Sequence, residues 1–96
     1  MKIIESQELS QFSGIIKIDT TNNPITIFMK QSPEKDSVVK LVKISKDDNM
    51  ITLFSDHSLV DGAEITGFGF LNKLGKKITS ITLKSTDKNW TIIKEE

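Results

Sequence analysis

The sequence contains no cysteine and no arginine, and it has a single histidine. Without cysteine the chain forms no disulfide, offers no thiolate to a metal and has no cysteine nucleophile. A site of several histidines is likewise excluded, because His57 stands alone. Asp56 and Ser58 flank it, but adjacent side chains on a strand point to opposite faces, so a surface or turn histidine is the better interpretation. We therefore expect no enzyme activity, no catalytic residue, no metal site and no cofactor.

A charge excess of either sign is also missing, since 13 basic residues balance 13 acidic ones. Nucleic-acid-binding domains are usually basic, and the planar arginine fork that recognises guanine is absent here. The N-terminal run "MKIIESQELSQF" has too few consecutive apolar residues for a signal peptide or a membrane span. These features predict neither nucleic-acid binding nor membrane insertion.

The chain is also poor in apolar residues, which make up 36% of its 96 positions. A chain of this length is a single domain, and it buries only about two-thirds of its unfolded surface. Two solutions fit such a lean composition: a very regular sheet, or burial of further surface against partner subunits.

What the sequence does contain is short runs of alternating apolar residues separated by turn-forming residues. They predict an all-β domain, either a β-sandwich or a β-barrel-like module. The predicted strands cover residues 14–18, 24–29, 38–44, 50–54, 78–85 and 89–94, with further extended structure between residues 55 and 77. Residues 5–12 are compatible with either a short helical turn or an extended segment, since Leu9 and Phe12 have helical spacing.

Turn signals indicate how these strands connect. The first two runs read as strand, turn, strand, and residues 38–44 and 50–54 form the best predicted hairpin, followed by a second one at the C-terminus. Asp61-Gly62 is a strong turn signal. The segments "ITIF", "ITLF" and "ITLK" begin at residues 25, 51 and 81, so turns of a wound, solenoid-like sheet are an alternative.

A few residues allow more than one role. Asp47, Asp48 and Asn49 are oxygen donors, but they lack the alternating spacing of a calcium loop, which favours an ordinary turn over an ion site. Trp90 fits the core or a subunit interface better than a ligand platform. Gly67 and Gly69 alternate with Phe68 and Phe70, a pattern that lets another backbone approach closely.

Taken in order, these segments resemble the small β-rich modules of bacteriophage tail fibres, tail spikes and related surface appendages. The resemblance covers about residues 14–93. The segments that carry it are Asp19-Thr20, residues 24–27, residues 49–53, Asp61-Gly62, residues 78–83 and residues 89–93. It implies a virion location and assembly as a homotrimer that binds other virion proteins of the capsid, neck or tail.

The resemblance leaves residues 1–13 outside the β-rich module of residues 14–96. We expect this segment to be a docking segment or an edge element, and deletion of residues 1–12 to abolish attachment while leaving folding intact. The candidate docking or interface residues are Ile3, Ile4, Leu9, Phe12, Phe68, Phe70 and Trp90. Two alternative functions stay open: a receptor-recognition tip that binds a host-surface glycan, and a small phage-encoded inhibitor protein.

Overall fold

The computed structural model of the chain describes residues 1–29, 34–55, 58–69 and 77–96. Within these ranges the regular structure is entirely β, which confirms the predicted class. The strands are β1 (Lys2–Ile3), β2 (Gln7–Glu8), β3 (Gly14–Ile18), β4 (Ile25–Phe28), β5 (Val38–Lys43), β6 (Ile51–Phe54), β7 (Ile65–Phe68), β8 (Ser80–Thr86) and β9 (Asn89–Glu95).

The strands form two sheets, and the chain alternates between them. The large sheet has the order β1-β3-β5-β8-β9, and the small sheet has the order β2-β4-β6-β7. From β1 to β6 every odd strand joins the large sheet and every even strand joins the small one, and neighbours within each sheet are parallel. The first six strands therefore wind through three turns, each of which supplies one strand to each sheet.

The last three strands reverse this direction. Strand β7 is antiparallel to β6, and β8 is antiparallel to β5. Strand β9 then pairs with β8 as the predicted C-terminal hairpin, with a register shift between Thr82 and Leu83. Strands β8 and β9 complete the large sheet, and β9 forms its edge opposite β1.

The predicted hairpin of residues 38–44 and 50–54 is wrong, because its strands lie in different sheets. Strands β3 and β4 do not pair with each other, and neither do β5 and β6. Their nearest partners lie one turn away, so that Ile25 stands opposite Ile51 and the "ITIF" and "ITLF" segments match residue for residue. The third segment, "ITLK", does not belong to this series, since Ile81 pairs with Leu41 in the large sheet.

The two sheets share one hydrophobic core. On β4 and β6 the alternating residues Ile25, Ile27, Ile51 and Leu53 are buried, and the inward side chains of the large sheet belong to the same cluster. Burying both sheets against each other lets a chain with few apolar residues form a continuous core, because nearly all of its inward positions are apolar.

Residues 1–13 provide an edge strand to each sheet. Strand β1 pairs with β3, and β2 pairs with β4, so the alternative of a helical turn over residues 5–12 is wrong. Ile3 and Leu9 are each only 1% exposed and belong to the core. The ring centroids of Phe12 and Trp90 lie 6.2 Å apart. This contact joins the segment to β9, the edge strand of the large sheet opposite β1.

The predicted turn at Asp61-Gly62 is present and protects an edge strand. Both residues have positive φ, 50° and 77°, while Val60 and Ala63 exchange two backbone hydrogen bonds, as in a tight two-residue turn. The Asp61 N–H also donates to the carbonyl of Trp90. The turn thus covers the first part of the β9 edge, which would otherwise offer unpaired backbone groups to another chain.

Candidate functional site

Three of the four strands of the small sheet, β4, β6 and β7, have the sequences "ITIF", "ITLF" and "ITGF" and contain no charged residue. The fourth, the edge strand β2, places the exposed Glu8 opposite Phe28. Because alternate residues of β4 and β6 are buried in the core, the intervening ones face outward. We call these outward positions the uncharged face: Thr26, Phe28, Thr52, Phe54, Ile65 and Gly67.

Aromatic and aliphatic side chains form one row of this face. Phe28 and Phe54 are paired in register on neighbouring parallel strands, and their rings meet edge to face with centroids 6.1 Å apart. Ile65 stands opposite Phe54 on β7 and is 62% exposed. The row thus combines an edge-to-face aromatic pair with a solvent-exposed isoleucine.

Threonines form the adjacent row. Thr26 and Thr52 are paired in register, and Gly67 follows on β7 without a side chain. The Ser6 hydroxyl accepts a hydrogen bond of 2.9 Å from the backbone N–H of Thr26, which ties the first turn of the chain to this strand. The uncharged face is therefore weakly polar and backed by regular ladder pairing.

A second notable group lies inside the protein, where the side chain of Lys43 is fully buried. Its Nζ donates to the backbone carbonyl oxygens of Asp47, Asn49 and Gly69 at 2.6, 2.7 and 3.2 Å. It also lies 3.5 Å from Oδ1 of the Asp47 carboxylate. The ammonium group thus occupies the centre of the oxygen-rich turn, where a cation would have to bind.

Gly69 makes room for this lysine. Its φ is +92°, and a Cβ at this position would come within 3.0 Å of the Lys43 Cδ. The alternation of Gly67 and Gly69 with phenylalanine predicted a close approach by another backbone. At Gly69 the nearest group is instead the side chain of Lys43.

The Asp47 carboxylate is held by several donors. Its Oδ1 accepts hydrogen bonds from the Thr20 hydroxyl at 2.7 Å and from the Asn49 N–H at 2.9 Å. Hydrogen bonding by the Ser45 hydroxyl lowers the pKa of Asp47 most, Thr20 and Asn49 lower it further, and desolvation partly opposes them. Its Oδ2 is buried without a hydrogen-bond partner among the described residues.

The low pKa of Asp47 predicts an acid-sensitive contribution to stability. The folded protein keeps the carboxylate ionised below the unfolded value of 3.8, so the contribution is complete above that value. It declines as the pH falls below 3.8, because the unfolded chain then binds a proton that the folded chain does not. We expect Asp47→Asn to be much less stable than the wild type at pH 7 in urea unfolding, and this difference to shrink at pH 3.

Asp48→Asn is the matched control, since the Asp48 side chain is fully exposed. Its stability relative to the wild type should change little over the same pH range. An Asp47→Asn difference that stays constant from pH 7 to pH 3 would contradict the prediction.

The structure places most of the predicted docking residues in the core. Ile3, Leu9, Phe68 and Trp90 are at most 2% exposed, so they pack against their own chain and present no surface to a partner. Phe12 packs partly against the same core.

Of the remaining candidates, Ile4 is 64% exposed. Phe70, like Asp56 and His57, lies outside the described residues.

Sequence reasoning missed the outward-facing apolar side chains of the small sheet, namely Phe28, Phe54 and Ile65, of which Ile65 is exposed and the two phenylalanines are partly buried. The signal was available, since the alternation that buries Ile25 and Ile27 necessarily turns Phe28 outward. Lys43 was also missed as a buried residue, although it follows Val39 and Leu41 on the inward positions of β5.

Comparison with known proteins adds no relative. No protein-family model matches the chain, and neither the curated proteins nor the solved structures that were searched match it. In the described ranges no three His, Cys, Asp or Glu side chains are grouped as a metal site requires. The same part of the chain contains no helix that could span a membrane.

Proposed function

We propose that this protein is a non-enzymatic structural protein of a bacteriophage virion, assembled as a homotrimer and bound to other virion proteins of the capsid, neck or tail. The observation that carries the proposal is the uncharged face. Strands β4, β6 and β7 turn phenylalanine, isoleucine and threonine outward without a charged residue among them. Ile65 is exposed, Phe28 and Phe54 are partly buried, and Glu8 of β2 borders the face. Apolar surface of this kind on a small protein usually marks an interaction site.

The geometry of the face suits self-association around an axis. The six positions of the face carry no charge that would repel or require pairing when copies of it meet, and the bordering Glu8 lies on the edge strand β2. Three copies placed around a three-fold axis would turn these faces inward and bury Phe28, Phe54 and Ile65 together. Closed rotational symmetry of this type is one of the ordinary solutions for homo-oligomers.

The virion assignment itself is supported by the order of sequence segments that resembles phage appendage modules. Attachment to other virion proteins would use the first turn of the chain, where Ile4 is an exposed apolar residue of the predicted docking segment. The glycan-binding alternative has less support, because Trp90 and Phe68 are 1% and 2% exposed and cannot stack on a sugar in this conformation.

Light scattering on the purified protein tests the proposed assembly. We expect a particle of about three times the chain mass of 10.8 kDa. Ile65→Lys should convert it to a monomer, because a desolvated lysine ammonium at the centre of the interface has no partner.

The matched control is Ile93→Lys, which changes an isoleucine of similar exposure, 53% against 62%, on the other sheet. This variant should remain a trimer. A wild-type monomer at every concentration would refute the trimer and favour the inhibitor alternative. Equal dissociation of both variants would show that the interface does not lie on the uncharged face.

A further inference from the structure

The outer surface of the large sheet has the opposite character to the uncharged face. Each of its five strands contributes one lysine to it, and we call this set the lysine face: Lys2, Lys17, Lys40, Lys84 and Lys94. With adjacent strands about 4.8 Å apart, the set extends over about 19 Å. A chain with no net charge thus concentrates positive charge on one sheet surface.

Few acidic groups balance these lysines. Strands β1, β3, β5 and β8 contain no aspartate or glutamate. Among the described residues two carboxylates lie within 4 Å: Asp19 at 3.9 Å from Lys2, and Glu96 at 3.6 Å from Lys40 and 3.5 Å from Lys94. The face therefore keeps an excess of positive charge.

One pairing within the lysine face is unfavourable for the isolated chain. Lys2 and Lys17 stand directly opposite each other on neighbouring parallel strands. Like charges in this position destabilise a sheet, and a bound anionic group between them would remove the repulsion. Both lysines are exposed, so a partner can reach them.

We infer that the lysine face is a second interaction surface, which docks an acidic surface of another protein. A second copy cannot dock there face to face, because equal positive charges would meet. The partner must supply carboxylates, and electrostatic complementarity would orient it and speed its association.

Apolar side chains among the lysines favour a protein over a nucleic acid. Ile15 and Val38 lie on the same surface and are 56% and 40% exposed. Protein interfaces use such aliphatic contacts beside charged pairs, whereas a phosphate backbone does not. Among the described residues, none of the strand positions on this face carries an exposed aromatic side chain on which a base could stack.

The test measures binding of a short fluorescent poly-L-glutamate chain to the intact protein by anisotropy. We expect saturable binding that weakens as salt is raised to about 0.15 M. The double variant Lys17→Glu/Lys84→Glu should bind about tenfold more weakly or not at all. Far-UV circular dichroism checks its fold, which Lys17→Glu should preserve because it places a carboxylate beside Lys2.

The matched control is Lys46→Glu/Lys88→Glu, which makes the same change of net charge at two exposed turn lysines outside the face. Its affinity should stay within about twofold of the wild type. Equal loss in both double variants, or no binding by the wild type, would overturn the inference.

A DNA oligonucleotide provides the last arm of the test. Tighter binding of the oligonucleotide than of poly-L-glutamate, lost in Lys17→Glu/Lys84→Glu, would also overturn the inference and assign the face to nucleic acid. The inference does not depend on the trimer, since oligomer mass and poly-L-glutamate affinity are measured separately and on different variants.

Discussion

Deletion of residues 1–12 is expected to abolish cooperative folding. The deletion removes β1 and β2, and with them Ile3 and Leu9, which are each 1% exposed. These two side chains alone contribute about 3–6 kcal/mol by burial, a large part of the roughly 5–15 kcal/mol that stabilises a typical domain. Urea unfolding followed by circular dichroism should therefore show no cooperative transition.

This expectation reverses the one drawn from the sequence, in which the segment served attachment and folding survived its loss. The reason is that the deletion also exposes the β3 and β4 edges of the two sheets, leaving unpaired backbone groups and open core. A truncated protein that unfolds cooperatively near the wild-type midpoint would contradict this expectation. It would support the sequence-based prediction that the segment serves attachment and is not needed for folding.

Two point variants separate core packing from attachment within the same segment. Ile3→Ala should cost about 2–5 kcal/mol, as do other truncations of a buried aliphatic side chain. Ile4→Ala changes the adjacent isoleucine, which is 64% exposed, and should leave stability within about 0.5 kcal/mol. If Ile4 contacts another virion protein, its variant should lose binding without losing stability.

Lys43→Met is expected to destabilise the protein by about 3–5 kcal/mol, as is typical when one partner of a buried ion pair is removed. The methionine leaves the carbonyls of Asp47, Asn49 and Gly69 without their ammonium donor, and it leaves the Asp47 carboxylate without its compensating charge. Chemical denaturation at pH 7 measures the difference.

Lys40→Met is the matched control, because it makes the same substitution on the same strand at a partly exposed position. Lys40 pairs with Glu96 at 3.6 Å, with side chains that are 38% and 48% exposed, so its loss should cost less than about 1 kcal/mol. The double variant Lys43→Met/Asp47→Leu should regain part of the loss, since it removes both charges. Equal costs for Lys43→Met and Lys40→Met would contradict a special role for the buried ammonium group.

The sequence predicted most strand positions but few of their partners. Two-residue alternation shows that Ile25 and Ile27 share one face, but it is the same whether the strand pairs in a hairpin or in a parallel winding. The connection between β5 and β6 contains turn residues that suit either arrangement. Pairing followed from contacts between turns, where Ile25 meets Ile51 and Phe28 meets Phe54.

The uncharged face and the lysine face were also predictable from the sequence only in part. The outward direction of Phe28 and Phe54 follows from alternation, yet their contact depends on a parallel register that joins residues 26 positions apart. The five lysines of the lysine face are visible in the sequence, but only the order of the large sheet brings them to one surface.

The sequence by itself determined the β class, the turn at Asp61-Gly62 and which residues of a strand share a face, because these depend on local backbone preferences and on a period of two residues. Tertiary structure alone decided the two-sheet winding, the place of Ile3 and Leu9 in the core and the burial of the Lys43 side chain. Backbone hydrogen bonds can join any two strands, so partners are selected by the burial they allow together. The Lys43 ammonium group, likewise, has its acceptors in two separate parts of the chain that only the folded protein brings together.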